Sequence, residues 1–298
     1  MKHKNFLVLI NPISGTAGKA NVKDIVEKRL SKENISFRIT HSEASGDYSF
    51  LPALIENEKI THLIICGGDG TVSRIASSLK NIKVSIGIIP MGSGNGLAFA
   101  AGIPKNPEKA LEIILTEEAI QVDGFSINGQ FSCMLCGLGF DAQVAHDFAS
   151  QNTRGLSTYI QQTIRNFFVA LPYPFVIKVN GSEIKTEAFF ISIANSNQFG
   201  NHFTIAPQAS LSDGLLDIVI VNKTGKLNLI YNVLKQVRAG KLSPVTGNKK
   251  TVHYFQCREM QISNHSNAPL HIDGEPVSTF EEINIKIIEK AFWLICKK

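Results

Sequence analysis

No run of apolar residues in this 298-residue chain comes near the roughly 20 needed to cross a bilayer as a helix, so a transmembrane segment is not expected. The opening "MKHKNFLVLINP" has a basic start, but its apolar run of about five residues is too short for a signal-peptide core and reads as a first strand. Cysteine is scarce: five residues, odd in number and spread out, which argues against a disulfide scaffold and fits a reducing cytoplasm. Cys133 and Cys136 form a C-x-x-C inside "FSCMLCGLGF", a run that reads as one buried strand. On a strand, positions i and i+3 face opposite ways, and no second pair follows, so a zinc knuckle is not expected. The basic residues form no long run, and nucleic acid is not an expected partner. A net charge of +5 suits an anionic substrate or an acidic membrane surface, and is also common among ordinary enzymes. Internal repeats and low-complexity tracts are absent.

What is present is enough apolar material, 44% of residues, for a sizeable core, and a length that favours two domains. The first 120 residues or so alternate apolar strands with amphipathic helices. Strands are expected at 6–10, 35–40, 62–66 and 84–90, with helices at 22–30, within 48–58, at 71–79 and at 107–116. The last of these has Asn106 as its cap and Pro107 at its first position. Such alternation implies an open, mostly parallel α/β sheet covered on both faces. From about residue 122 the texture changes. "FSINGQFSCMLCGLGF" and "FVIKVNGSEIKTEAFFISIAN" read as hairpins with Asn-Gly turns, and further short strands follow. Helices are expected near 155–170 and 226–239. The expected fold is therefore α/β with two domains: an open α/β domain over 1–122 and a mainly antiparallel β domain over 123–283.

Three glycine-rich turns end strands of the first half: "NPISGTAGK" (11–19), "GGDGT" (67–71) and "PMGSGNG" (90–96). In an open α/β sheet the carboxyl ends of the strands face one crevice, where glycine lets backbone N–H groups approach an anion. One such turn can be plain βα punctuation; three on successive strands point to a phosphate cradle. It is not a Walker loop, because "SGTAGKA" has the wrong spacing and no hydroxyl after Lys19. Nor does "GSGNGL" fit the dinucleotide fingerprint, since Leu97 stands where the last glycine belongs.

"NPISG", "GGDGTVS" and "PMGSGNGLA", in this order, resemble the diacylglycerol kinase catalytic family, which includes bacterial lipid kinases, sphingosine kinases and ceramide kinases. The resemblance continues through "GLGFDAQV", "RGLSTYI", "APQASLSDGLLD" and "HIDGEPV". It implies a nucleotide-binding α/β domain and a β-rich lipid-binding domain, with the active site in the cleft between them and residues 284–298 returning to the first domain. It also implies transfer of the γ-phosphate of ATP, with Mg²⁺, to a lipid hydroxyl at a membrane surface, by a cytoplasmic enzyme peripheral to that membrane. A homodimer is compatible with the sequence, which does not fix the oligomeric state.

Phosphate transfer to an alcohol needs a proton acceptor, and Mg²⁺ needs hard oxygen ligands, so acids are the residues to examine. Asp69 lies in the tight turn of "GGDGT"; it can be an ordinary helix N-cap, while the resemblance implies a role at Mg²⁺ or at the reacting hydroxyl. Asp273-Gly274 can be an ordinary hairpin turn, while the resemblance makes Glu275 the leading general base, Asp69 its rival, and Asp273 a metal ligand or an orienting neighbour. Asp213 and Asp217 of "SDGLLD" read as a turn entering a strand; the resemblance suggests a second, structural metal site. Asp123 stands where the domains join, and the resemblance suggests that it faces the nucleotide's metal. The expected nucleotide cradle is Asn11, Ser14, Gly15, Gly67, Gly68, Gly70, Thr71, Gly92, Ser93, Gly94 and Asn95. One departure matters: many bacterial diacylglycerol kinases have Asn-Asp where this chain has Asn95-Gly96, and "GSGN" is closer to the sphingosine and ceramide branch.

Residues 156–168 offer one broad apolar helical face flanked by Arg154 and Arg165, which suits an acyl pocket, a membrane contact or an ordinary core helix. His146 and His271 read as surface or packing residues. Two other functions share these features. An NAD kinase also carries Gly-Gly-Asp-Gly and would phosphorylate a soluble dinucleotide. A non-catalytic lipid or nucleotide sensor would keep the fold without turnover.

Overall fold

The structure is a computed structural model and describes residues 4–12, 19–43, 45–149, 170–198, 206–223 and 252–297. The chain divides into two compact units, Met1–Asp123 with Glu289–Lys298, and Gly124–Ile288. It passes from the first to the second within strand β5 (Ala119–Ile127) and returns within β15 (Glu282–Ile295).

The first unit is an α/β sheet. Its strands β1 (Asn5–Ile10), β2 (Ser36–His41), β3 (His62–Gly67) and β4 (Ser85–Pro90) are all parallel, in the order β2-β1-β3-β4. The end of β15 adds a further parallel partner, with Trp293 and Leu294 beside Ser85 and Ile86 of β4. Phe6, Leu7, Val8, Leu63, Ile64, Ile65, Ile86 and Ile88 are all buried. Continuous apolar strands of this kind form only where both faces are covered. Helices α1 (Lys19–Lys32), α3 (Asp69–Ser78) and α5 (Pro107–Thr116) bury Val26 and Leu30, Ile75 and Ala76, and Leu111 and Ile114. Asn106 caps α5 through its side chain, which accepts the Lys109 N–H at 3.0 Å. Two shorter helices, α2 (Leu51–Asn57) and α4 (Gly96–Ala100), complete the unit.

The order β2-β1-β3-β4 has a consequence for ligands. The chain leaves β1 toward β2 on one side, then returns to place β3 on the other. The carboxyl ends of β1 and β3 therefore flank a topological switch point, the place where open α/β sheets leave a crevice.

The second unit is mainly antiparallel. Its ladders pair β13 (Leu270–Ile272) with β14 (Glu275–Val277), β13 with β7 (Leu135–Gly139), and β7 with β9 (Ser182–Ala194). They continue from β9 to β8 (Tyr173–Val179), from β8 to β12 (Glu259–Ser263), and from β12 to β15. On its other side β9 pairs with β10 (Leu216–Asn222), which pairs with β11 (Val252–Cys257). Strand β5 forms the expected hairpin with β6 (Gln130–Ser132). Its turn residues Asn128 and Gly129 both have positive φ, as do Asn180 and Gly181 between β8 and β9, which is what two-residue turns of this type require. One core runs through the unit, with Phe125, Phe175, Ile191, Ile218, Ile262 and Ile283 among its members.

Two elements differ from the expected ones. The run 131–140 is not a single strand: it breaks at Cys133 and Met134, and from Phe140 it becomes a helix, α6 (Phe140–Ala149). The break has a cause, because those backbone amides turn toward the Asp273 carboxylate instead of a strand neighbour. Cys133 and Cys136 are buried free thiols, and burial, followed by the charges of Asp273 and Asp141, holds Cys136 well above the ordinary thiol range. The helices expected near 155–170 and 226–239, with Arg154 and Arg165, lie outside the described residues, as does the side chain of His146. Among the described residues no helix is long and apolar enough to cross a membrane.

Candidate active site

The three glycine-rich turns leave the same edge of the parallel sheet. Ile10 is level with Cys66, and Gly67 with Pro90, so the chain turns off β1, β3 and β4 side by side. Backbone bonds continue the register into the turns: Asn11 N–H donates to Cys66 O and Met91 N–H to Gly67 O, both at 2.9 Å. The Asn11 side chain then crosses to the second turn and donates to Thr71 Oγ1 at 2.7 Å. Ser14 and Gly15 of the first turn lie outside the described residues.

The second and third turns touch through their backbones. A Cβ on Gly92 would lie 2.6 Å from Gly68 Cα, and one on Gly68 would lie 3.0 Å from Gly92 Cα. Glycine at both places is thus a condition of the approach rather than loop punctuation. Asn95 shapes the third turn. It has φ 61 and ψ 41, a left-handed conformation that Asn tolerates. Its buried side chain grips Gly92 twice, accepting that residue's N–H and donating to its carbonyl, both at 2.8 Å. Asn95 therefore builds the turn with its side chain, while Ser93 is exposed and Gly94 half-buried at the rim. Gly96 is buried and opens α4.

Asp69 is the first residue of α3. The N-cap is Gly68, in an extended conformation, and no side chain caps the helix, so Asp69 is not the cap that its position alone allowed. A carboxylate in the first turn is favoured by the helix dipole. Thr71 and Val72 donate their N–H groups to Gly68 O at 3.1 Å, closing the first turn around Gly70.

Asp123 is 2% exposed, and its Oδ1 accepts the Lys290 N–H at 2.7 Å. Lys290 has φ 53, so the carboxylate secures a left-handed residue in β15.

In the second unit Asp273 and Gly274 form the turn between β13 and β14, with φ 49 and 80. The Asp273 carboxylate is buried and surrounded by donors. Its Oδ1 accepts Ser132 Oγ–H at 2.6 Å and the N–H groups of Met134 and Leu135 at 3.1 Å, and Oδ2 accepts Cys133 N–H at 3.3 Å. This set organises the 132–135 bend, and the exposed Glu275 opens β14 next to the turn. The general neighbourhood includes His271, which is fully buried.

Asp213 and Asp217 divide. Asp213 Oδ1 accepts Leu215 N–H at 3.0 Å, the turn its sequence suggests. Asp217 is fully buried on β10, where Tyr254 O–H and Gln256 Nε2–H donate to it. Burial pushes Asp217 up to about 6, against the lowering effect of Gln256 and with a further rise from the Asp213 charge. Among the described residues no group of three His, Cys, Asp or Glu side chains converges as a metal cage.

Comparison with known proteins covers both units. Residues 5–127 match the family model described as "Diacylglycerol kinase catalytic domain", and residues 135–292 match "YegS C-terminal NAD kinase beta sandwich-like domain". A diacylglycerol kinase of Bacillus subtilis is 23% identical over 91% of this chain and 90% of its own length. A probable lipid kinase, YegS-like, of Chromohalobacter salexigens is 26% identical over 83% of this chain and 79% of its own length. A crystal structure of a putative diacylglycerol kinase from Bacillus anthracis, 22% identical, superposes with a TM-score of 0.82 over 100% of this chain and 97% of that one, which shows the shared fold.

Proposed function

The chain belongs to the diacylglycerol kinase catalytic-domain family, with a YegS-type C-terminal domain, and from that premise we propose that it is an ATP- and Mg²⁺-dependent lipid kinase. Its acceptor is a hydroxyl of a diacylglycerol-like or sphingoid lipid. The observation that carries this reading is the close approach of the second and third glycine turns, where Gly68 after β3 and Gly92 after β4 meet backbone to backbone, next to the switch point between β1 and β3. At that approach the two facing residues carry no side chains and present backbone, which fits a phosphate chain.

Among the acids, Asp69 fits a metal best: it sits inside the second glycine turn, in the first turn of α3. Mg²⁺ bound there with ATP supplies charge neutralisation at the phosphates. Asp123 and Asp273 have oxygens committed to backbone and hydroxyl donors, and serve as structural supports in this reading. Glu275 is exposed beside a turn that its neighbours hold firmly, so it takes the proton of the lipid hydroxyl as the hydroxyl oxygen attacks. The lipid substrate brings the enzyme to a membrane surface.

The second family model, whose description refers to an NAD kinase fold, keeps NAD as the competing acceptor. The test is transfer of labelled phosphate from ATP to diacylglycerol, monoacylglycerol, sphingosine, ceramide and NAD, the lipids in mixed micelles. A labelled lipid with no labelled NAD is the expected result. Labelled NAD alone assigns the soluble acceptor instead, and ATP binding without any labelled product leaves a sensor.

A further inference from the structure

One row across β13, β7 and β9 sets His271 opposite Gly137, and Gly137 opposite Ser192. Residues paired in antiparallel ladders share a face, so two polar side chains flank a position that has none. Asp141, from the first turn of α6, fills the gap. A Cβ on Gly137 would lie 2.0 Å from Asp141 Oδ2 and 2.6 Å from His271 Nε2. His271 and Ser192 are 0% exposed and Asp141 7%. Asp141 Oδ1 accepts the Ala142 N–H at 2.8 Å, and its Oδ2 faces His271 Nε2 at 3.5 Å. At the other end of the ring, His271 Nδ1 accepts the Gly274 N–H at 3.3 Å.

An imidazole nitrogen that accepts an N–H carries no proton, so the ring proton is on Nε2, facing Asp141. The ring thus bridges the start of α6 and the Asp273-Gly274 turn. The Nε2–Oδ2 approach is longer than a hydrogen bond, so burying this histidine in an apolar strand costs free energy that an aliphatic residue filling the same space would not. We infer that His271, held by Asp141 over Gly137, is a positioning residue that fixes the Asp273-Gly274 turn and so sets where the Glu275 carboxylate stands. This rests on the reading of Glu275 as the proton acceptor.

The test pairs a structural readout with a kinetic one. Imidazole nitrogen NMR of the wild type is expected to show His271 with its proton on Nε2, and the Gly274 amide is expected to be protected from exchange. His271→Phe keeps ring bulk but removes the acceptor; Gly274 exchange is then expected to rise at least about 10-fold. The same variant is expected to lose roughly 10- to 100-fold in kcat, with KM for ATP unchanged. His271→Asn, whose side-chain oxygen can replace Nδ1, is expected to restore protection and most of kcat. A ring proton on Nδ1, wild-type exchange and kcat in His271→Phe, or equal loss in both variants overturns the inference. If His271→Phe fails to fold, the wild-type tautomer and His271→Asn still decide it. A wild type that phosphorylates no lipid overturns the proposed function alone, because the tautomer and the Gly274 exchange are read without turnover.

Discussion

Gly68 and Gly92 meet backbone to backbone across two adjacent turns, so closely that a Cβ on Gly92 would stand 2.6 Å from Gly68 Cα. A backbone atom cannot swing aside as a flexible side chain can. Gly92→Ala is therefore expected to push the turns apart, costing about 1–3 kcal/mol of stability and weakening ATP binding. Gly68→Ala, whose Cβ would meet Gly92 Cα at 3.0 Å, is expected to cost less. Thermal unfolding and ATP titration of the two variants check the order; equal and negligible effects contradict it.

Asn95 combines a left-handed backbone with two side-chain bonds to Gly92, and the two contributions separate by substitution. Asn95→Gly keeps the conformation and loses the bonds. Asn95→Ala loses the bonds and adds left-handed strain, roughly a further 1 kcal/mol. The expected order of stability is wild type, Gly, Ala, measured by urea unfolding, with KM for ATP rising in the same order.

Removing the Asp273 carboxylate strands Ser132 Oγ and the amides of residues 133–135. Asp273→Ala is expected to cost about 2–4 kcal/mol in a urea titration. Asp273→Asn retains the shape and one acceptor and is expected to cost less, with an unchanged dependence of rate on Mg²⁺ concentration. A marked shift in that dependence would instead make Asp273 a metal ligand.

Asp217 has a folded-state pKa near 6, above the ordinary carboxylate value, because it is buried. The folded protein then holds more protons than the unfolded chain between roughly pH 4 and 6, so this group's contribution to stability falls as pH rises through that window. Asp217→Asn removes the ionisation. Its melting temperature minus that of the wild type is expected to grow from pH 4 to pH 7, and EDTA is expected to change neither protein. A difference that shrinks with pH, or a wild type destabilised by EDTA, contradicts this and favours a cation at Asp217.

The sequence made the first unit legible because its strands are continuous apolar runs ending in glycine turns, and the buried strands Phe6–Ile10, Leu63–Cys66 and Ile86–Ile89 follow those runs. Helix α4 was not expected, since five residues cannot display a helical period. Helix α6 was hidden because the apolar run before it flows straight into Phe140. The roles of individual acids were least legible. Asp123 meets Lys290 at a sequence distance of 167 residues and Asp273 meets Ser132 at 141, and no local pattern announces partners so remote. His271 reads as a surface or packing residue; its burial leaves the second, while its bond to the turn and its contact with Asp141 become visible only when β13 lies beside β7. A glycine at 137 in an otherwise apolar strand was the available signal, since it marks a place where another group comes close.

The central claim is that this chain moves phosphate from ATP to a lipid hydroxyl with Glu275 taking the proton. The most direct measurement is single-turnover phosphorylation of the best lipid acceptor by the wild type and Glu275→Gln, with ATP affinity measured on both. The expected result is a fall of roughly 100-fold or more in the chemical step for Glu275→Gln at unchanged ATP affinity. A variant that phosphorylates lipid at the wild-type rate would contradict the account.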